Sequence, residues 1–484
     1  MNEAIRNLEP KALWNNFADL NAVPRASKKE ERVIEFMKNF GNKLGLETFE
    51  DEVRNVIIRK PATPGMENRK GIVLQSHIDM VHQKNNDTDF DFGTQGIEMY
   101  VDGDWVRANG TTLGADNGLG VATIMAILES NTIAHPAIDA LFTIDEETGM
   151  TGAIGLKGGI LKGKILLNLD TEEDDEIGVG CAGGVDVTAT KSYTPVEVPT
   201  NSVAYKITVK GLRGGHSGME IHLGLGNANK MMNRILSETS NFINIASLLG
   251  GSLRNAIPRE SNAMVVVSNE DDFLSAFEKM KTEIVAEYLH LEKDIIITAV
   301  KQYSLPETMM NSEAQDLFLK AVHGTHNGVF RMSPAIEDLV ETSNNVAKIS
   351  VAEGNITIEC LTRSSVDSSK DNMVNTLKSV LELAGFSVTL AGDYPGWAPN
   401  MDSAILKVLD GLYEKLNGEK ANVAACHAGL ECGILGTNYP GMDMISFGPT
   451  IKGAHSPDER ASISSTQKFW KFVLEILKEI PVEE

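Results

Sequence analysis

The spacing of apolar residues changes period several times along the chain. "KALWNNFADLNAVPRAS" has helical spacing and ends near Pro24, and "KEERVIEFMKNFGNKLG" predicts a second amphipathic helix closed by a glycine. Short apolar runs of strand character follow: "NVIIRK", "GIVLQSHIDM", "IDALFTIDEE" and "KILLNLD". A helix, "GLGVATIMAILESN", lies among them. The alternation predicts an α/β sheet, mostly parallel. In such sheets functional residues gather at the carboxyl ends of strands. Here His77 follows "GIVLQS", Glu146 follows "LFTID" and Asp170 follows "ILLNL".

The texture changes around "VEVPTNSV", at Val196–Val203. "AYKITVKG" alternates as a strand. A helix-like stretch (227–236), the strand "NAMVVVS" and the helix "DDFLSAFEKMKTEIVAEYL" come next. A second round runs from "KDIIITAVKQ" through "AKISVAEGNITIECLTRSS" and "KDNMVNTLKSVLELAG" to "FSVTLAG". Two α+β units in series, a degenerate duplication, would give this pattern. "DYPGWAPN" reads as a linker, and α/β texture returns in "SAILKVLDGLYEKL", "MDMISFGP" and "STQKFWKFVLEILKEI". The expected architecture is one α/β domain (residues 1–190 and 399–484) interrupted by a large inserted α+β domain (191–398).

Composition narrows the class of partner. The 484 residues are 42% hydrophobic and 23% charged, an ordinary globular balance, with a net charge of −23. So acidic a chain is a poor partner for nucleic acid or an anionic membrane. The N-terminus has no basic start leading into an apolar block, and no stretch has the length of a membrane span. Cys181, Cys360, Cys426 and Cys432 are scattered without a C-x-x-C pair, which reads as reduced, buried thiols in a cytoplasmic protein.

Candidate chemistry lies at the strand ends: His77, Asp79, Asp116, Glu146, Glu147 and Asp170, joined by His455 in the loop "GAHSPDER". Each has an ordinary alternative. Asp116 alone would be a helix N-cap and His455 a loop histidine. Together, two imidazoles, several carboxylates and no thiol form a ligand set for Zn²⁺, Co²⁺ or Mn²⁺. His77 and Asp79 are two apart and point to one side, which suits a ligand and the carboxylate that holds its ring. Glu146 and Glu147 point different ways, so one can bind metal while the other stays free as a base. Asp116 has two oxygens, enough to bridge two cations about 4 Å apart.

"SHIDMVH", "GADNGLGVA", "DEETGMTGA", "LNLDTEE", "RGGHSG" and "GAHSPDER" resemble the M20 family of di-zinc peptidases, in family order and over essentially the full length. The nearest branch cuts aminoacyl-histidine (Xaa-His) dipeptides such as carnosine. The resemblance implies a zinc-peptidase-like catalytic domain and an inserted lid. It implies that His77 and Asp170 bind one zinc, Glu147 and His455 the other, and Asp116 both. Asp79 would orient His77, and Glu146 would be the general base. His216 of the lid would steady the oxyanion. Asn255 and Arg363, with Arg254 as a competitor, would hold the free carboxylate of a small peptide; His222 reads as a surface residue. A homodimer could supply His216 in trans. The metal motifs serve broader dipeptidases, tripeptidases and N-acyl amino acid deacylases equally well. A nucleotide-binding reading of "TTLGADNGLG" lacks the Lys-Ser/Thr of a P-loop and the G-x-G-x-x-G spacing of a dinucleotide fold.

Overall fold

The computed structural model describes residues 2–483. Two compact units form. The first comprises residues up to Gly180, Trp397–Ala425 and everything from Leu430 on; the second comprises Cys181–Gly396 and Cys426–Gly429. The first join thus falls at Gly180/Cys181 rather than at residue 190. The reason is the strand Gly183–Ser192, which pairs over its length with Asn355–Ser364 in the second unit's sheet.

The first unit is built on an eight-stranded sheet. Its order is Glu47–Glu50, Val56–Lys60, Ile138–Thr143, Ile72–His77, Ile165–Asn168, Asp443–Ser446, Glu176–Cys181, Asn422–Cys426. The four strands from Ile138–Thr143 to Asp443–Ser446 are mutually parallel, and antiparallel strands flank them. Ile72–His77 and Ile138–Thr143 are buried along their whole length, as central parallel strands must be. The helix Ala115–Glu129 is apolar all round and buried from Asn117 to Leu128. Gly120 lets it run close to the sheet, because a side chain there would strike Ser76 Oγ and the Leu169 carbonyl. The first amphipathic helix is Lys11–Leu20, shorter than the apolar spacing suggests. Asn21 ends it by turning its amide to the Leu113 carbonyl and the Arg25 guanidinium.

A second, four-stranded sheet of this unit has the order Ile451–Lys452, Arg460–Ser462, Trp105–Ala108, Met99–Asp102. Apolar runs long enough to predict strands are missing there, although "EMYVDGDWVRA" is two short runs around a turn glycine. This sheet fixes the loop that bears His455.

The second unit has a nine-stranded sheet. One half runs Ile296–Gln302, Val203–Lys210, Ser261–Val267, Ile243–Gly250; the other runs Ser387–Tyr394, Gly183–Ser192, Asn355–Ser364, Val340–Ala352; the ninth strand, Gly328–Met332, pairs with Val340–Ala352 outside both. Numbered along the chain, each half has the order 4-1-3-2, so the sheet does repeat, but not as two units in series: Ile296–Gln302, expected to open the second round, closes the first half. The first half is inserted after the opening strand of the second. That displacement hides the repeat from a linear reading.

Candidate metal centre

His77 ends its parallel strand, and Asp170 lies just past the end of the neighbouring one. His77 Nε2 stands 3.5 Å from Asp170 Oδ1 and 3.2 Å from Asp116 Oδ1. Its other nitrogen, Nδ1, lies 3.3 Å from Asp79 Oδ1. Asp79 is itself fixed, accepting from Ser27 Oγ at 2.7 Å, Glu146 N at 3.1 Å and Glu147 N at 3.2 Å. One carboxylate therefore lies against the His77 ring and holds the turn that carries the two glutamates. That turn is clipped again by Glu30, whose Oε1 accepts from Asp145 N at 3.1 Å.

Asp116 does not act as an N-cap. Its two side-chain oxygens face different imidazoles instead of the first N–H groups of the helix. Oδ1 meets His77 Nε2, while Oδ2 lies 3.2 Å from His455 Nε2. His455 Nε2 also stands 2.9 Å from Glu147 Oε2. Three sets of ligand atoms each lie within 4.8 Å of one another: His77–Asp116–Asp170, His77–Glu146–Glu147 and Asp116–Glu147–His455. All seven residues singled out in the sequence are thus brought together within the first unit.

The electrostatics follow from packing five carboxyls around two imidazoles. Burial pushes the Glu146 carboxyl well above the usual range, and nearby Asp170, Glu431 and Glu147 add to the effect against His77. Burial likewise raises Asp170 to about 6, opposed by His77. Burial alone would raise Asp116 and Asp79 too. Hydrogen bonding to His455 and His77 instead holds Asp116 far below the carboxylate range, and His77 does the same more mildly for Asp79. The imidazoles move the other way. Hydrogen bonds to Asp116 and Glu147 raise His455 to about 11, and the surrounding carboxylates raise His77 in spite of its burial. Glu147 Oε1 is buried with no hydrogen-bond partner. An orphaned carboxylate oxygen in a cluster that draws protons onto its imidazoles is a donor set short of positive charge. Divalent cations fit it.

Several contributing residues carry no signal in the sequence that marks them as part of the site. Arg25 is fully buried and ties the end of the His77 strand to the Asp116 loop, through Asp79 O at 2.9 Å and Gly114 O at 2.6 Å. Gly114 has φ 68°, and a side chain there would meet Arg25 Nη2 at 2.5 Å. Glu459 and Glu431 are buried carboxyls near the cluster. Only "PDER" following His455 hints at the first, and "GLECG", opening a helix, at the second.

The second unit holds the remaining candidates. His216 lies in the short strand Gly215–His216, paired with Ala256–Ile257. Its Nδ1 accepts from Gly218 N at 3.2 Å and Met219 N at 3.0 Å, so the neutral ring carries its proton on Nε2. Burial and the Arg363 charge lower its pKa to about 4. Asn255 sits beside it, its carbonyl accepting from Ser217 N at 2.8 Å. Arg254 is spent on structure: it bonds Thr188 Oγ1 at 2.7 Å and Cys360 O at 3.1 Å and pairs with Asp186 at 3.3 Å. Arg363 donates to Tyr394 OH at 3.0 Å, and its buried Nε has no partner. His222 is exposed on a 3₁₀ turn. His427, which no sequence motif marks, is buried against Ser343 Oγ at 2.8 Å.

Known proteins resemble this chain throughout its length. It is 42% identical over 482 residues to a protein of Escherichia coli (strain K12) named cytosol non-specific dipeptidase, covering 99% of each chain. The crystal structure of aminoacylhistidine dipeptidase from Vibrio alginolyticus matches with a TM-score of 0.92 at 44% identity, again over 99% of both chains. A tripeptidase from Staphylococcus aureus shares the fold, with a TM-score of 0.57 at 18% identity over 98% of this chain and 99% of that one. Residues 73–479 match the model of peptidase family M20/M25/M40. That span takes in all seven clustered residues, and the chain belongs to this family of metal-dependent peptidases.

Proposed function

We propose that the chain is a di-metal dipeptidase acting on dipeptides with a free C-terminus, Xaa-His dipeptides such as carnosine foremost. The observation that carries this is Asp116: its two oxygens face two imidazoles from opposite ends of the chain, beside the orphaned Glu147 oxygen. His77 and Asp170 would hold one cation, Glu147 and His455 the other, and Asp116 both; Zn²⁺ suits the donor set, as do Co²⁺ and Mn²⁺. When bound, the ions acidify water and polarise the scissile carbonyl. Asp79 keeps Nε2 of His77 turned into the cluster. Glu146, whose carboxyl holds a proton readily in this buried place, takes the proton from water and passes it to the leaving nitrogen. His216 is assigned as the Nε2–H donor to the carbonyl oxygen as it becomes an oxyanion. Arg363 is favoured over Arg254 for the substrate carboxylate, because its fork is only partly used. Asn255 is placed as a further contact to the peptide.

Both relatives above 40% identity are dipeptidases, which supports dipeptides as the substrate class, and the Escherichia coli one is cytosolic, which supports the cytoplasm as the location. Among the described residues no helix is long and apolar enough to cross a membrane. The test is a panel of Xaa-His and other dipeptides, a tripeptide and an N-acyl amino acid, each with and without chelator. Xaa-His dipeptides should be cut fastest and chelator should abolish turnover. Uniform rates over all dipeptides would replace the Xaa-His reading with the non-specific one. Preference for the acylated amino acid would overturn the dipeptidase reading.

A further inference from the structure

The two halves of the cluster are held by different means. His77 and Asp170 stand at the ends of adjacent parallel strands, whose ladder runs from Ile72↔Ile165 to Gln75↔Asn168. That ladder delivers both residues to one edge of the sheet. Asp116 and His455 share no sheet; 339 positions separate them in the chain. His455 sits in the tight connection between Ile451–Lys452 and Arg460–Ser462, with a left-handed φ of 61°.

Glu459 ends that same connection. It is 2% exposed, and its carboxylate reaches across to the Asp116 loop. Oε2 accepts from Leu113 N at 2.7 Å and Gly114 N at 2.9 Å; Oε1 accepts from Ala115 N at 2.7 Å and Asp116 N at 3.3 Å. These four consecutive N–H groups lead into the helix Ala115–Glu129, whose N-cap, Gly114, makes no side-chain cap. Left buried and unpaired, each would be costly. One carboxylate satisfies all four, and it extends from the loop that bears His455. On the far side, the Asn117 amide donates to Leu169 O at 2.7 Å and to Asp170, so that edge of the Asp116 loop is pinned separately.

We propose that Glu459 is the positioning residue that sets Asp116 against His455, and that it thereby governs uptake of the cation held by Asp116, Glu147 and His455 more strongly than uptake of the one that His77 and Asp170 share with Asp116. The inference rests on the two-cation reading of the centre. Glutamine at this position keeps the size but offers one acceptor oxygen, and it turns an NH₂ toward N–H groups. The clamp is lost while its volume remains.

The experiment titrates metal-free protein with Co²⁺ alone, counting bound ions by equilibrium dialysis with metal analysis and following the visible absorption of each site. Wild type should take up two ions per chain. Glu459→Gln should bind the second ion about 10–100-fold more weakly, the range for residues that orient metal ligands, and keep the first, which retains His77 and Asp170, with a clearly smaller loss. Two ions bound as in wild type would overturn the inference, and so would equal weakening of both. If circular dichroism shows Glu459→Gln unfolded, Glu459→Asp, which keeps the charge and withdraws it by one methylene, faces the same criteria. Wild-type protein that binds no pair of ions would overturn the two-cation reading itself, a result distinct from failure of the clamp.

Discussion

Two pairs of histidines titrate in opposite directions. In the first unit His455 is raised to about 11 and His77 is raised as well, both by carboxylates. In the second unit burial, reinforced by the Arg363 charge, lowers His216 to about 4 and His427 to about 3. The same side chain meets an excess of negative charge in one place and a lone guanidinium in the other. The first environment is built to receive cations. The second holds neutral imidazoles beside an arginine whose fork is only partly used.

The sharpest way to break the contrast is to remove a group that should act on protons without holding metal. Glu146→Ala should lower turnover by about 10²–10⁴-fold, the usual worth of a general base, while metal analysis finds the wild-type ion content. Near wild-type turnover would take the base role from Glu146; loss of metal would make it a ligand. His216→Ala should lower kcat by about 10²–10³-fold with little change in KM, as loss of one oxyanion donor does. If KM rises and kcat holds, His216 binds substrate in the ground state instead. Next come the two arginines. Arg363→Ala should raise KM by about 10–100-fold, the equivalent of losing hydrogen bonds to a charged group. Arg254→Ala should lower the melting temperature and leave KM alone, since its bonds go to Thr188, Cys360 and Asp186. The reverse outcome would exchange their assignments.

The legibility of the two units differs for a physical reason. In the first, parallel strands deliver residues from short apolar runs to one edge, so the ends of "GIVLQSH" and "ILLNLD" are legible from their apolar pattern as candidates for that edge, while their adjacency comes from the sheet order. The support around them is not. Arg25, Glu30, Glu431 and Glu459 are charged residues in loops or helix starts, where a solvated face is the ordinary expectation; only the fold buries them. In the second unit even the sheet is obscured, because its opening strand, Gly183–Ser192, precedes the inserted first half. Val340–Asn345 is a buried strand segment made largely of polar residues, so hydrophobic alternation says nothing of it. His427 is hidden for a related reason: it belongs to a four-residue stretch, Cys426–Gly429, grouped with the second unit and set within first-unit sequence.

The smallest effect tests whether the first unit's charge excess reaches beneath the cluster. A buried polar row crosses the sheet there: Gln75 bonds Glu431, Asn168 bonds Gln75 at 2.6 Å, and Ser446 bonds Asn168 at 2.5 Å. Glu431 is fully buried, with Oε2 accepting from Gln75 at 2.7 Å and Thr143 at 2.6 Å, and Oε1 unpartnered. Burial raises its carboxyl from the ordinary 4.5 to about 8, with Asp170 and Asp79 adding to the effect against Thr143 and His77. The folded protein therefore binds this proton more tightly than the unfolded chain does. Its contribution to stability is complete below about pH 4.5 and is lost as pH rises through about 8. Glu431→Gln keeps an acceptor oxygen for both donors and removes the titration. In metal-free protein, the melting temperature of Glu431→Gln relative to wild type should rise steadily from pH 5 to pH 8, between the unfolded and folded values. Parallel curves would mean that Glu431 stays ionised when folded. The paired imidazoles would then be balancing a sixth carboxylate, and the charge contrast between the units would be larger than the cluster alone implies.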